Sequence, residues 1–198
     1  MRVAAALEQI RQRGAAAAAR PLAAAESYAS VRPEFTDADL LCFRGHGVFG
    51  YLVRFFTNSR YSHVGLVYRF EGRVYCLEAV GSGVRLIIMS ELLRRSERGI
   101  DYFRIRDVTL EQRAGALGFA FQQLGKLYDR AGIVRFLWFL LLGNKARARL
   151  NGRWFCSEIV QEAYRRQGVQ LARQKASYTS PQDLVSSPRV EFLFRVKA

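Results

Sequence analysis

The sequence offers three residues whose side chains are suited to nucleophilic chemistry: Cys156, His63 and Glu78. After Cys156, apolar residues recur at helical spacing and Gly168 supplies a stop signal, so the sequence predicts a helix over residues 156–167. Unpaired backbone N–H groups and the positive end of the helix dipole stabilise a thiolate at the first residue of a helix. An ordinary thiol, with a pKa of about 8.5, is only slightly ionised at neutral pH, so this stabilisation predicts that Cys156 is a nucleophile. A lone cysteine in an apolar sequence is more often a structural residue, and the prediction therefore depends on a base elsewhere in the chain.

The candidate base is His63, one of the two histidines of the chain. Two β-prone runs, residues 61–68 and 74–80, flank a turn and predict a β-hairpin. If the connecting loop has two or four residues, paired residue numbers sum to 143 and Gly65 lies opposite Glu78. His63 and Glu78 are then diagonal neighbours on one face, about 7–8 Å apart at the backbone, and Gly65 leaves room for the carboxylate. A loop of odd length would place the two side chains on opposite faces.

Together the three residues form a complete chemical unit. Cys156 attacks, His63 takes and returns the proton, and Glu78 fixes the imidazole tautomer and stabilises the imidazolium. The backbone N–H of Cys156 is the predicted oxyanion donor because it lies at the helix entrance. Taken singly, each partner has a plainer interpretation: a hydrogen-bonded core histidine for His63 and a water-facing strand carboxylate for Glu78.

Short segments around these residues resemble a known family, the permuted branch of the NlpC-type papain-like cysteine hydrolases. This is the YiiX/YebB-like group, which also resembles the lecithin:retinol acyltransferase enzymes. Histidine precedes cysteine here, as a circular permutation of the papain order would produce. The similar segments lie between residues 36 and 186: Ser-His-Val-Gly at 62–65, Leu-Glu-Ala at 77–79, Phe-Cys-Ser-Glu-Ile-Val at 155–160, and residues 38–44, 125–129 and 180–184.

The resemblance implies an α+β, circularly permuted papain-like fold with a central antiparallel sheet and packed helices. It implies a cysteine hydrolase or amidase that uses Cys156, His63 and Glu78 and cleaves a cell-wall (peptidoglycan) peptide or another small amide through a thioester. Neither a cofactor nor a metal site is expected, since the sequence has no Cys-x-x-Cys pair and no histidine cluster. The chain departs from the family at Ala38, where glycine is usual, and at Cys42, where an apolar residue is common.

The order of predicted elements agrees with an α+β architecture of one compact domain over residues 31–198, preceded by an Ala/Arg-rich helical arm over residues 1–30. Cys42 and Cys76 fall in strand-like runs and are predicted to lie in the core, and His46 is predicted to lie in a solvated loop. The predicted strands are residues 39–44, 62–80 as a hairpin, 84–88, 101–106 and 190–196. The predicted helices are residues 47–57, 110–124, 131–142 and 156–167.

The formal charge of +14, from 31 Lys and Arg against 17 Asp and Glu, favours polyanionic partners such as an anionic membrane or lipid surface or the cell wall. No nucleic-acid motif accompanies this charge. Glu8 and Arg11 interrupt the apolar character of the N-terminus, so no secretory signal is predicted. The apolar run at residues 133–142 is too short as a helix to span a bilayer, at about 15 Å. A cytoplasmic protein, or one carried in a phage particle, is therefore expected.

Two other functions use the same residues or surfaces. The apolar run at residues 133–142, flanked by basic residues, favours a lipid acyltransferase or lipid hydrolase with the same Cys-His-Glu site. A non-catalytic docking or virion-type structural protein would instead bind a larger assembly through its basic surface and N-terminal arm.

Overall fold

The structure is a computed structural model that describes residues 25–44, 59–80, 82–126, 156–173 and 179–198. Four predicted features lie wholly or mainly outside these residues: the N-terminal arm, the loop residue His46, the helix at 47–57 and the apolar segment at 133–142. The division into an arm over residues 1–30 and a domain over residues 31–198 stays a prediction.

The predicted strands and helices that fall in the described residues are present in the predicted order, with bounds that differ by a few residues. Four further short elements were not predicted: a strand at Ala25–Ser27, within the segment predicted to be helical, and helices at Tyr28–Val31, Met89–Arg94 and Pro181–Val185. A short 3-10 helix over Arg32–Glu34 precedes the second strand. The strands are β1 (Ala25–Ser27), β2 (Leu40–Phe43), β3 (His63–Phe70), β4 (Arg73–Val80), β5 (Gly83–Ile88), β6 (Ile100–Ile105) and β7 (Val190–Lys197). The helices are α1 (Tyr28–Val31), α2 (Met89–Arg94), α3 (Leu110–Phe121), α4 (Cys156–Arg165) and α5 (Pro181–Val185).

The described strands form one seven-stranded sheet in the order β1-β7-β6-β2-β3-β4-β5. All neighbouring pairs are antiparallel except β1 and β7, which are parallel. The α+β architecture with a largely antiparallel sheet is therefore confirmed, and the parallel edge pair makes the sheet mixed.

Both faces of the central strand β2 are buried, and this explains why its four residues are all apolar. Successive side chains of a strand point to opposite faces. Leu40 and Cys42 join one buried cluster, which includes apolar residues of α3 and α4, while Leu41 and Phe43 join a second cluster that includes residues of α2. A strand buried on both faces needs a continuous apolar run.

Helix α3 begins where its sequence predicts, because Thr109 and Gln112 form a capping box. The Thr109 side chain accepts a hydrogen bond from the Gln112 backbone N–H, and the Gln112 side chain accepts one from the Thr109 N–H. Helix α4 is followed by a turn that closes at Gly168, whose φ of +73° favours glycine. The stop predicted for the helix after Cys156 is thus confirmed, although the regular helix ends two residues earlier than expected.

A buried carboxylate, that of Asp39, joins β2 to its surroundings. Asp39 is fully buried and accepts hydrogen bonds from the Tyr102 hydroxyl at 2.5 Å, the Ile105 backbone N–H at 2.8 Å and the Arg113 guanidinium at 2.7 Å. A buried charge is tolerated when it is paired and hydrogen-bonded in this way. The network holds α3 against β2 and β6.

Ala38, where the sequence resemblance implies glycine, has a φ of +63° and is fully buried. The left-handed conformation costs a non-glycine residue about 1–2 kcal/mol. Glycine would relieve that strain, but it would lose a buried methyl worth about 0.8 kcal/mol and about 0.5–1 kcal/mol of chain entropy. These terms nearly cancel. We therefore expect Ala38→Gly to change the free energy of unfolding by less than about 1 kcal/mol in urea denaturation.

The matched control is Ala79→Gly, because Ala79 is also fully buried in the same cluster but lies in the regular strand β4. No strain is relieved there, so the free energy of unfolding should fall by the full 1–2 kcal/mol or so. Equal losses for the two variants would show that the left-handed backbone at Ala38 stores no strain.

Candidate active site

The hairpin of β3 and β4 has the predicted register. Gly65 pairs with Glu78, and the pairing continues to Phe70 and Arg73 around a two-residue turn. His63 and Glu78 therefore lie side by side, and His63 Nε2 is 2.7 Å from Glu78 Oε2. The prediction that the two side chains are neighbours is confirmed.

Gly65 provides the space that brings them together. A Cβ atom at this position would overlap the sulfur of Cys76 and would lie 3.3 Å from the Cβ of Glu78. The absence of a side chain thus lets Glu78 occupy the strand face across from Gly65, where its carboxylate is 2% exposed. A larger residue at position 65 would have to displace Cys76 and would crowd the side chain of Glu78 beside it.

Cys156 is the first residue of α4 and is nearly buried, with 7% of its surface exposed. Burial alone would raise the pKa of its thiol. The positive charge of His63, a hydrogen bond with that side chain and hydrogen bonds from backbone N–H groups of Val64 and Ser157 instead hold the pKa of Cys156 below its usual value. The backbone N–H groups and His63 therefore both favour the thiolate. The sequence predicted His63 as the base, but it could not show that His63 lies beside Cys156.

The pKa of His63 shifts in the opposite direction from that of Cys156. Burial alone would lower its pKa, but the charge and hydrogen bond of Cys156, together with those of Glu78, raise the pKa of His63 to about 10. Its Nε2 faces Glu78, which leaves Nδ1 for the sulfur. The two shifts, each caused partly by the charge of the other group, favour a thiolate–imidazolium pair.

Arg85 completes the arrangement, and the sequence analysis did not identify it. Its Nε and Nη2 donate to Glu78 Oε1 at 2.9 and 2.7 Å, while Glu78 Oε2 faces His63. Burial would raise the pKa of Glu78, but His63 and Arg85 lower it, so the carboxylate stays ionised. Arg85 pairs directly with Glu78 across β4 and β5. The Gly-Ser-Gly sequence at residues 81–83 was the available signal, because a two-residue loop there places the two residues opposite each other.

The other two cysteines are core residues, as predicted. Cys42 and Cys76 are fully buried, and burial holds the pKa of each thiol well above its usual value. The described residues contain no group of three or more His, Cys, Asp or Glu side chains placed to hold a metal ion. Likewise, no helix in the described ranges has the length and apolar character that crossing a bilayer requires.

These pKa directions predict selective labelling of Cys156 by iodoacetamide. Because the pKa of the Cys156 thiol lies below its usual value, its alkylation rate should fall less steeply from about pH 8 to about pH 6 than that of an ordinary thiol. An unperturbed thiol would slow about tenfold per pH unit over the same interval. Peptide mapping by mass spectrometry after timed alkylation measures the rate at each cysteine. Faster labelling of Cys42 or Cys76, or a tenfold fall per unit at Cys156, would contradict the assignment.

The fold and this site define a papain-like arrangement in which the histidine strand comes before the cysteine helix in the chain. Residues 47–194 match the model of a family described as permuted papain-like amidase enzymes, YaeF/YiiX, C92 family. The chain belongs to this family, whose description names amidases. The resemblance to the YiiX-like group is confirmed.

Two individual proteins illustrate the relationship. The chain is 27% identical over 178 residues to the "Probable lipoprotein peptidase YaeF" of Escherichia coli K12, in a match that covers 77% of this chain and 64% of YaeF. The chain thus spans somewhat less than two thirds of that relative's length. Its fold is similar to the crystal structure titled "metalloprotein yiiX" from Escherichia coli O157:H7, with a TM-score of 0.66 at 19% identity, covering 82% of this chain and 98% of that one.

Proposed function

We propose that the protein is a cysteine amidase in which Cys156 is the nucleophile, His63 the general acid and base, and Glu78 the group that orients His63. The observation that carries the proposal is the continuous chain of contacts from Cys156 through His63 to Glu78, with a lowered thiol pKa at one end and an ionised carboxylate at the other. A nucleophile, a base and an orienting group in contact are the elements of covalent catalysis.

The reaction proceeds in two halves. The thiolate of Cys156 attacks the amide carbonyl carbon, and the C–N bond breaks as the imidazolium of His63 gives its proton to the leaving nitrogen, leaving a thioester on Cys156. Water then attacks the thioester carbonyl while His63 accepts the water proton. The C–S bond breaks, the carboxylic acid is released, and the thiolate–imidazolium pair is restored.

The oxyanion formed in each half lies beside the entrance of α4. We assign its stabilisation to the backbone N–H of Cys156, as the sequence predicts, because that group belongs to the orphan donors of the first helical turn. The hydrogen bonds from the N–H groups of Val64 and Ser157 serve the sulfur itself, since they lower the pKa of Cys156.

The proposed substrate is a peptide amide of the bacterial cell wall. The family description names amidases, and the YaeF relative is named a peptidase, both of which favour an amide over a lipid ester. The net charge of +14 favours attraction to the anionic cell wall. The alternative of a lipid enzyme depends on residues 133–142, which lie outside the described ranges. The experiment below distinguishes it, and the non-catalytic alternative, from the proposed amidase. The cytoplasmic or phage-borne location also stays a prediction.

Mass spectrometry of the protein after brief incubation with peptidoglycan fragments, or separately with phospholipid vesicles, tests the proposal. A peptide acyl group added to Cys156, together with release of the matching amine, is the expected result. An added fatty acyl group would instead identify the lipid enzyme. No adduct and no product from either source, with a folded protein, would contradict an enzyme of this mechanism.

A further inference from the structure

A group of arginines lies beside the candidate active site, at the ends of β2, β6 and β7. It is centred on Asp101, which is 2% exposed. Arg195 donates to Asp101 from Nε at 2.6 Å and from Nη2 at 3.1 Å, and Arg44 donates from Nη2 at 2.6 Å. The Tyr61 hydroxyl adds a fourth hydrogen bond at 2.7 Å. We name Arg44, Arg60, Arg195 and Asp101 the arginine cluster.

The arginine cluster carries more positive charge than its carboxylate balances. Asp101 faces the guanidinium groups of Arg44 and Arg195, which are only 12% and 7% exposed. Nε of Arg44 is buried and has no hydrogen-bond partner within the described part of the chain. Because buried charges are normally paired, the excess of positive charge over the single carboxylate of the cluster favours the binding of a further anion.

Arg60 adds a third guanidinium to this group. Partial burial and the positive charge of Arg44 hold the pKa of Arg60 below its usual value, and Asp101 and Arg195 also act on it. Its backbone N–H donates to the Gln182 side chain at 3.1 Å, which fixes the start of the segment leading to His63. Arg60 thus adds positive charge near Asp101, whose carboxylate hydrogen-bonds Arg44 and Arg195.

The arginine cluster lies within a few residues of the reacting groups. Arg44 lies two residues after Cys42, so its side chain is on the face of β2 that Cys42 occupies, and Cys42 and Cys156 belong to one buried cluster. Arg60 precedes His63 by three residues, a span of at most about 10 Å. Asp101 pairs with Cys42 across β2 and β6, on the same face of the sheet as the cluster that contains Cys156.

We infer that the arginine cluster binds a carboxylate of the substrate next to the amide that Cys156 attacks. The inference rests on the proposed function and narrows its substrate class to amides that carry a free carboxylate near the scissile bond. Guanidinium groups suit this role because their planar fork matches a carboxylate. Arg60 is the specificity residue to test, since its hydrogen bond to Gln182 uses only the backbone and a side-chain replacement leaves it intact.

Alkylation of Cys156 by two small reagents separates this inference from the proposed function. Iodoacetate carries a carboxylate one carbon from its reactive centre, and iodoacetamide is its neutral counterpart. Iodoacetate transfers a carboxymethyl group to the sulfur and iodoacetamide a carbamidomethyl group, each with loss of iodide. We expect Arg60→Gln to lower the ratio of the iodoacetate rate to the iodoacetamide rate about threefold to tenfold at low ionic strength, and less at high salt. Arg60→Lys, which keeps the charge, should stay within about twofold of the wild type.

The matched control is Arg73→Gln, which removes the same charge at the far end of β4, about 17 Å along the strand from Glu78. It should leave the ratio unchanged. An unchanged ratio in Arg60→Gln, with Cys156 still labelled, would overturn the carboxylate site and leave the nucleophile in place. Failure of both reagents to label Cys156 in the wild-type protein would instead contradict the proposed function.

A pair of model peptides extends the test to turnover. Both peptides have the same scissile amide, and the residue beside it bears a free carboxylate in one and a carboxamide in the other. We expect the wild-type kcat/KM to be at least about tenfold higher for the carboxylate, and Arg60→Gln to remove most of that preference. Equal kcat/KM values for the two peptides in the wild type would overturn the inference.

Discussion

Cys156→Ala is expected to lower kcat/KM for amide hydrolysis by at least about 10⁴-fold and to remove the acyl adduct entirely. Without the sulfur no thioester forms, and only binding and electrostatic stabilisation of the transition state remain. In enzymes with a nucleophile and base that act as a unit, loss of the nucleophile alone costs as much as loss of the whole unit. Steady-state rates and intact-protein mass spectrometry on the same samples measure both effects.

Two further variants make this result specific. Cys156→Ser keeps the side-chain shape but supplies a hydroxyl that His63 cannot hold ionised, so it should be nearly as inactive as alanine. Cys42→Ala removes a fully buried thiol outside the contact chain and should retain turnover within a few-fold. Substantial hydrolysis by Cys156→Ala, after exclusion of contaminating wild-type protein, would assign the chemistry to another group.

Glu78→Gln is expected to lower turnover by about ten- to a thousand-fold, a smaller loss than that for the nucleophile. The structure explains why a side chain of the same shape is a poor substitute. Glu78 accepts hydrogen bonds on both oxygens, from Arg85 and from His63. Glutamine has only one oxygen, so its NH2 group must face either the Arg85 donors or the His63 ring. Facing His63, it favours the neutral imidazole with the proton on Nδ1 and opposes the imidazolium.

The pH dependence distinguishes this role from a general loss of structure. The carboxylate of Glu78 helps to raise the pKa of His63 to about 10, so its removal must lower that pKa. Activity that needs the His63 proton is retained below this pKa and lost above it. The alkaline limb of the rate profile should therefore begin at lower pH in Glu78→Gln than in the wild type.

Glu91→Gln is the matched control for this variant. Glu91 also pairs with two arginines, Arg94 and Arg95, but it lies on α2 with exposed partners. The same loss of charge there should change neither kcat nor the alkaline limb. Wild-type kcat in Glu78→Gln would show that another polar group orients His63.

Local patterns in the sequence were sufficient to predict the hairpin and the helix that carry the candidate site. The alternation of the two β-prone runs, with a turn of even length, predicted the pairing of Gly65 with Glu78 that the structure contains. Helical spacing predicted α4 and its first residue, Cys156, because helix entrances are set by nearby residues. The family resemblance then ordered these pieces, and the family match confirmed it.

The contacts between elements depend on the tertiary structure. Sequence periodicity places a side chain on a face of its own element, but it does not say which distant element that face meets. Cys156 helps to raise the pKa of His63, and His63 lowers the pKa of Cys156, because α4 packs against β3 and brings the two side chains together. Similarly, Asp101 gathers Arg44 and Arg195 from strands far apart in the chain.

The sequence by itself therefore determined the chemical types, their order and the local register of this protein: a cysteine at a helix entrance and a histidine beside a glutamate on a hairpin. Only the tertiary structure decided that these groups touch, that Arg85 holds Glu78, and that an unbalanced arginine cluster lies next to them. The physical reason is that the two kinds of interaction act over different distances along the chain. Backbone hydrogen bonding and side-chain periodicity act over a few residues, whereas burial and charge pairing depend on every element that packs around the site.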